Sequence, residues 1–223
     1  MTKRTLLLLA SNSPRRRELL SLGNWIFSVS VSNVDESQRT DEAPADYVLR
    51  LAEAKARAAV ANARSEYMII GADTTVVDGN RMLGKPKDAM EATAMLKFLR
   101  GHVHQVYTAV AVLRMHDEHL ITDLCVTDVP MRAYSDEEIE AYVVSGDPLD
   151  KAGAYAIQHP GFHPVESMKG CYASVMGLPL CHLIRVLHRM DVPYDADIPS
   201  SCQVLLKYQC SVSSAILRGE QIG

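Results

Sequence analysis

The stretch LLLLASNSPRRRELL (Leu6–Leu20) decides the fold class. Its apolar run, Leu6 to Ala10, reads as a buried strand. Pro14 to Leu22 reads as a helix, with Ser13 as N-cap and Pro14 in the first helical position. A helix start carries partial positive charge and favours acids, yet Arg15, Arg16 and Arg17 fill this first turn. Free backbone N–H groups at a helix start attract phosphate, and guanidinium groups add donors that match its oxygens. Three solvated arginines are the plain alternative. The sharper expectation is an anion site, with Ser11-Asn12-Ser13 supplying hydroxyls and turn amides and Arg17 left to solvent.

Outward from this stretch, strands and helices alternate. Trp25 to Val34 reads as a second strand ending at Asp35-Glu36, and Pro44 to Ala63 as an Ala-rich helix. Tyr67 to Ala72 is a short buried strand, continued by Thr74 to Val77 and turned at Asp78-Gly79. A helix from Asp88 to Leu99 follows, capped by Asp88 with Glu91 three residues on and closed by Gly101. Val103 to Leu113 and Leu120 to Val129 pair as a long hairpin. Ser135 and Glu138 form a capping box for a helix ending at Val144. Ala154 to Ile157 and Cys171 to Val175 are short strand candidates, and Leu178 to Met190 is the last firm helix. Asp191 to Ser201 reads as a linker and Cys202 to Gly223 as a tail of uncertain structure. The expected class is α/β, a mixed sheet with flanking helices.

Bulk properties narrow the function. Of 223 residues, 48% are hydrophobic, enough for a packed core. Acids number 27 against 23 Lys and Arg, and the chain has one Trp and three Phe. That net acidity and scarcity of stacking rings argue against a nucleic-acid binder. The five cysteines are odd in number and form no CxxC pair, which fits a reducing, cytoplasmic setting better than a disulfide framework or zinc. MTKRTLLLLA resembles a signal peptide only faintly, because its apolar run is too short. No stretch approaches the ~20 apolar residues of a membrane span.

Several residues carry chemistry. Lys55 falls inside the apolar stripe of its helix, formed by Val48, Leu51, Ala52 and Ala59, rather than among Arg50, Glu53 and Arg57. It either snorkels to the helix edge or reaches a cleft holding negative charge. Asp73, in GADT, stands where a buried strand runs into an acid, and Asp35-Glu36 ends another strand in the same way. Such carboxylates suit a general base, or a shared Mg²⁺ or Mn²⁺ ion. Lys85 sits in a stiff Gly-Lys-Pro turn. His102, His104, His159 and His163 lack ligand spacing and read as structural or surface residues. Cations (Arg15, Arg16, Lys55, Lys85) and acids (Glu36, Asp73) at element ends suit a polyphosphate held with a metal.

SNSPRR (11–16), DE (35–36), RLAEAKA (50–56), GADT (71–74), GKP (84–86), DKAGAYAIQ (150–158) and MGLPL (176–180) together resemble the Maf family of nucleoside-triphosphate pyrophosphatases, also called septum-formation proteins. The likeness runs from about Leu6 to about Met190. It implies one domain over residues 1–190, an elongated two-lobed fold similar to the inosine-triphosphate pyrophosphatases with a central cleft, and residues 191–223 as a linker and extension. It implies hydrolysis of a small-molecule nucleotide to monophosphate and pyrophosphate with a divalent metal, and a homodimer is usual for the family. On this chain the resemblance makes Asp73 the proton acceptor. It puts Ser11, Arg16, Glu36, Lys55 and Lys85 around phosphates and metal, with Glu36 and Asp73 as metal ligands. Arg15, Thr74 and Gln158 match positions that separate the branches, and their combination resembles the branch acting on dTTP and UTP. The competing reading is a nucleotide-binding regulator of cell division without turnover, for which Asp73 would be unnecessary.

Overall fold

The computed structural model describes residues 5–31, 33–194 and 196–222. The basic head of the leader-like start, Ser32 of the expected second strand, Asp195 of the expected linker and Gly223 of the tail lie outside the described residues.

The opening stretch folds as read. β1 (Leu6–Leu9) passes through Ser11-Asn12-Ser13 into α1 (Pro14–Ser21), where Ser13 Oγ accepts the Arg16 N–H at 3.4 Å. β2 (Ile26–Val29) is shorter than expected and mostly exposed, an edge strand with little apolar surface to extend it. Asp35-Glu36 therefore lies not at a strand end but in the irregular segment leading to α2 (Pro44–Ala58). That helix stops five residues early, followed by a 3₁₀ turn at Val60–Asn62.

β3 (Tyr67–Asp78) is one unbroken twelve-residue strand, so Asp73 is mid-strand rather than terminal. The reason is its long antiparallel partner β5 (Val103–Arg114), which pairs it from Met68 to Val77 with Asp73 opposite Ala109. Gly79, at φ +58°, turns β3 into β4 (Arg81–Leu83). After α3 (Ala89–Leu99), capped by Asp88, β5 forms the expected hairpin with β6 (His119–Pro130). The mixed sheet runs β2-β1-β3-β5-β6, with β1 parallel to β2 and β3, and β4 paired to the far end of β3.

α4 (Asp136–Val144) carries the expected capping box. Neither short strand candidate is a strand. Gly153 and Ala154 adopt left-handed φ values of 68° and 60°, which break any strand before Tyr155, and Tyr172–Val175 is the single-turn helix α5. α6 (Leu180–Arg189) is nearly all buried. Beyond it, the segment read as linker and tail carries α7 (Ile198–Leu206) and α8 (Ser213–Leu217), which pack on α6, with Ile198 and Ile216 wholly buried. Arg185 of α6 fixes this end: it pairs with Asp123 at 2.8 Å and donates to the carbonyls of Ile216 and Glu220.

The sheet buries both faces. Val48, Ala52 and Ala56 of α2 cover Leu8, Ile69, Ala109 and Ala111 on one face. On the other, α1, α3, α4 and α6 enclose Leu7, Leu9, Ile70, Ala72 and Val110. Gly71 lets α2 approach: a Cβ there would lie 2.0 Å from the Ala52 carbonyl oxygen. Among the described residues, no helix is long and apolar enough to cross a membrane.

Candidate active site

The site arises from a gap in the sheet. One edge of β3 pairs β1 as far as Ile70 and β4 from Val76 onward. From Gly71 to Thr75 that edge carries no strand among the described residues. Successive side chains of a strand alternate faces, so at this open edge Asp73 points toward α2 while Thr74 points to the opposite face. A cleft of about 670 Å³ wraps the gap. It is lined by the Ser11–Arg16 loop and helix start, Glu36, Tyr47, Lys55, Asp73–Val76, Gly84-Lys85, Asp150–Ala152, Tyr155–Gln158 and Val175–Gly177. Every candidate site residue read from the sequence reaches it, and Arg17 does not.

On the α2 side, Lys55 leaves the apolar stripe for the cleft. Its Nζ lies 2.6 Å from Asp73 Oδ1 and 2.6 Å from Glu36 Oε1. Glu36 is held in place from below, since Tyr47 Oη donates to its backbone carbonyl at 2.9 Å. The two carboxylates share one ammonium, but their pKa values are pushed in opposite directions. Burial pushes Asp73 above its ordinary value, against the opposing pull of Lys55 and Arg16. Burial also opposes charge at half-exposed Glu36, but Lys55, helped by Lys85 and Arg16, brings that carboxyl below its ordinary value. Two neighbouring acids pushed apart in this way are suited to different roles.

On the other side, Arg16 is clamped. Its Nε donates to the Gly177 carbonyl at 2.7 Å, and its two terminal nitrogens donate to Ser11 Oγ at 3.2 Å and Thr74 Oγ1 at 3.3 Å. Burial lowers the pKa of this guanidinium, with the Asp73 charge opposing. Gly177 has φ +104°, and a Cβ there would meet Arg16 Nε at 3.2 Å. Arg15, Lys85 and Gln158 stand around the rim, the last two exposed.

Some site residues were not singled out in the sequence. Tyr47 lines the cleft, and burial together with the Asp73 and Glu36 charges pushes its hydroxyl up to about 12. Lys151, buried, pairs with Asp147 at 2.9 Å and Asp150 at 2.6 Å and stiffens the wall before Gln158. Thr108, Ser174 and Gly177 support Arg16, and nothing in a threonine on a strand or a serine in a short apolar run signals that role. Of the histidines, His104 is buried against the Tyr155 hydroxyl at 2.9 Å, and His159 Nδ1 accepts the Gly161 and Phe162 N–H groups.

A mixed sheet whose gap gathers cations around two acids defines an anion-handling α/β cleft protein. The Maf-like protein family matches residues 6–190, and the chain belongs to that family. Among curated relatives, a dTTP/UTP pyrophosphatase of Bacillus cytotoxicus is 47% identical over 184 residues, 82% of this chain and 95% of its own. Two further dTTP/UTP pyrophosphatases, of Myxococcus xanthus (47%, covering 85% and 94%) and Escherichia coli K12 (45%, covering 84% and 94%), are similar to it over comparable spans. The solved Ham1 protein of Staphylococcus aureus aligns over 83% of this chain and 97% of its own, at 13% identity and a TM-score of 0.47.

Proposed function

We propose that this chain hydrolyses nucleoside triphosphates, dTTP and UTP foremost, to the monophosphate and pyrophosphate. Support comes from family membership and from relatives of that name matched over nearly their whole length. The observation that carries the chemistry is Asp73: a buried carboxylate of raised pKa, held by Lys55, at the open edge of the sheet.

In this reading the triphosphate lies among Ser11, Arg15, Arg16, Lys55 and Lys85, whose charges offset its own. Asp73 accepts a proton from water as the water oxygen bonds to the α-phosphorus. The bond from that phosphorus to the bridging oxygen breaks, and pyrophosphate leaves with the electron pair. A raised pKa makes Asp73 a stronger base than an ordinary carboxylate.

A divalent cation fits the donors present. Glu36 and Asp73 offer hard oxygen ligands and already share one cation, the Lys55 ammonium. Among the described residues no group of three or more His, Cys, Asp or Glu side chains could hold a metal by itself. Glu36 and Asp73 would therefore hold Mg²⁺ or Mn²⁺ together with substrate oxygens, and when bound the ion supplies neutralising charge on the phosphates. Thr74 and the exposed amide of Gln158 set the base preference. An amide both donates and accepts, as a pyrimidine edge requires.

Purified protein incubated with Mg²⁺ and dTTP, UTP, dCTP or 7-methyl-GTP tests the proposal. Monophosphate plus pyrophosphate from dTTP and UTP is the expected result. Orthophosphate plus diphosphate would overturn the cleavage site, and bound but unconverted dTTP would return the protein to the regulator reading.

A further inference from the structure

We infer that Thr108, outside the cleft lining, is a positioning residue: its hydroxyl fixes the Thr74 hydroxyl as an acceptor and so locks the Arg16 guanidinium at the cleft floor. The identification of the bound anion as a triphosphate rests on the pyrophosphatase reading.

Thr108 is fully buried on β5, directly opposite Thr74 on β3. Its Oγ1 lies 2.8 Å from the Ser174 carbonyl oxygen and 3.0 Å from Thr74 Oγ1. A carbonyl oxygen only accepts, and a hydroxyl has a single proton. Thr108 is the donor in both contacts, its one proton shared between the two acceptors. Thr74 Oγ1 thus accepts from Thr108 on one lone pair and from Arg16 on the other. An acceptor is what a guanidinium N–H needs, and a threonine free to rotate would present its proton there part of the time.

The network closes on itself. The Ser174 carbonyl also accepts the Gly177 N–H at 2.8 Å, and the Gly177 carbonyl accepts Arg16 Nε at 2.7 Å. A ring of hydrogen bonds thus leaves one guanidinium through Thr74 and returns to it through Gly177. With Ser11 as the third anchor, three of the five N–H groups of Arg16 are committed inward. Two remain for an anion, in an orientation set by the ring. Buried polar networks of this kind hold one geometry only when every member is satisfied.

Thr108→Val keeps the shape and removes the hydroxyl, and Thr108→Ser keeps the hydroxyl. Two measurements are made on each: steady-state dTTP hydrolysis with Mg²⁺, and calorimetric titration with inorganic tripolyphosphate, which needs no turnover. For Thr108→Val, KM for dTTP and Kd for tripolyphosphate should both rise about tenfold, as loss of a charge-assisted contact predicts. Its kcat should stay within about twofold, because a phosphate clamp of this kind binds ground and transition states alike. Thr108→Ser should restore both constants. A merely structural threonine would lower the melting temperature and leave KM and Kd unchanged, and that result overturns the inference. Wild-type protein that releases no pyrophosphate would remove the pyrophosphatase reading while the titration still judges Thr108. Should Thr108→Val fail to fold, hydrogen exchange in wild-type protein decides: the Arg16 Nε–H and Thr108 hydroxyl protons should exchange slowly, and fast exchange of either overturns the ring.

Discussion

The Lys55 ammonium sits 2.6 Å from the Asp73 carboxylate, joining α2 to β3 at the point where the sheet opens. Both side chains are largely buried, and the ammonium also serves Glu36. Removing one member of such a group strands the others. Lys55→Met should therefore lower stability by about 3 kcal/mol, read by denaturant unfolding. Without its cation Asp73 should titrate still higher, so the acid limb of the pH–rate profile should move to higher pH. An unmoved limb would detach Lys55 from the protonation of Asp73.

Asp73→Asn should slow dTTP hydrolysis by about 10²–10⁴-fold, the range typical of a lost general base. Stability should change in the opposite sense. A carboxyl whose pKa is raised on folding contributes stability below its unfolded value and loses that contribution as pH rises through the folded value. Wherever Asp73 is ionised, wild-type protein carries a disfavoured buried charge that the amide lacks. The variant should then melt no lower than wild type, with any gain growing as pH rises from the acid range. Glu36 has the reverse sign: its lowered pKa contributes stability that is present above its unfolded value and lost on acidification. An Asp73→Asn protein with full activity would remove Asp73 from the mechanism.

Gly71→Ala tests the close approach that lets Lys55 reach Asp73. The new Cβ would meet the Ala52 carbonyl oxygen at 2.0 Å and the Ala56 nitrogen at 2.8 Å, both backbone atoms of α2. The helix must shift or the strand must bend, at a cost of about 3 kcal/mol. For a chain of this size that corresponds to a drop of about 10 °C in melting temperature. The displaced helix should also cut activity in the protein that remains folded. Wild-type melting would show that α2 has room to give.

Residues after Met190 should be needed for a firm cleft wall. Tyr208 Oη donates to the Gly170 carbonyl at 2.9 Å, and Ser211 Oγ to the Lys169 carbonyl at 2.7 Å. These carbonyls lie just before α5, whose end leads to Gly177 in the cleft. Tyr208→Phe should cost about 1 kcal/mol. Ending the chain at Met190 should lower melting temperature and activity together, measured by thermal melts and dTTP turnover. A truncated chain with wild-type values of both would make α7 and α8 dispensable.

Much of this architecture was legible because its signals are periodic or positional. β1, α1, the long hairpin and the capped helices follow from apolar runs, N-caps and turn residues. Lys55 betrayed itself by standing in an apolar stripe, and Arg15 and Arg16 by occupying the wrong end of a helix dipole. The failures have physical causes. Runs of four or five apolar residues, such as those at 154–157 and 171–175, do not distinguish strand from helix, and left-handed backbone at Gly153 and Ala154 decided the first of them. The unbroken course of β3 depended on a partner 34 residues away at Thr74–Thr108. Asp191 to Ser201 looked like a linker because its polar and Pro residues hide Ile198, which packs out of sight of solvent. The support of Arg16 by Thr108 and Ser174 was invisible because hydroxyls on ordinary elements leave no pattern in a sequence.

The bond from Arg16 Nε to the Gly177 carbonyl spans 161 positions of the chain. During synthesis Arg16 is made long before Gly177 and stays without this anchor until 161 further residues have been added. A chain that stops short of Gly177 has both strands of the β5–β6 hairpin but lacks the carbonyl that anchors the Arg16 guanidinium.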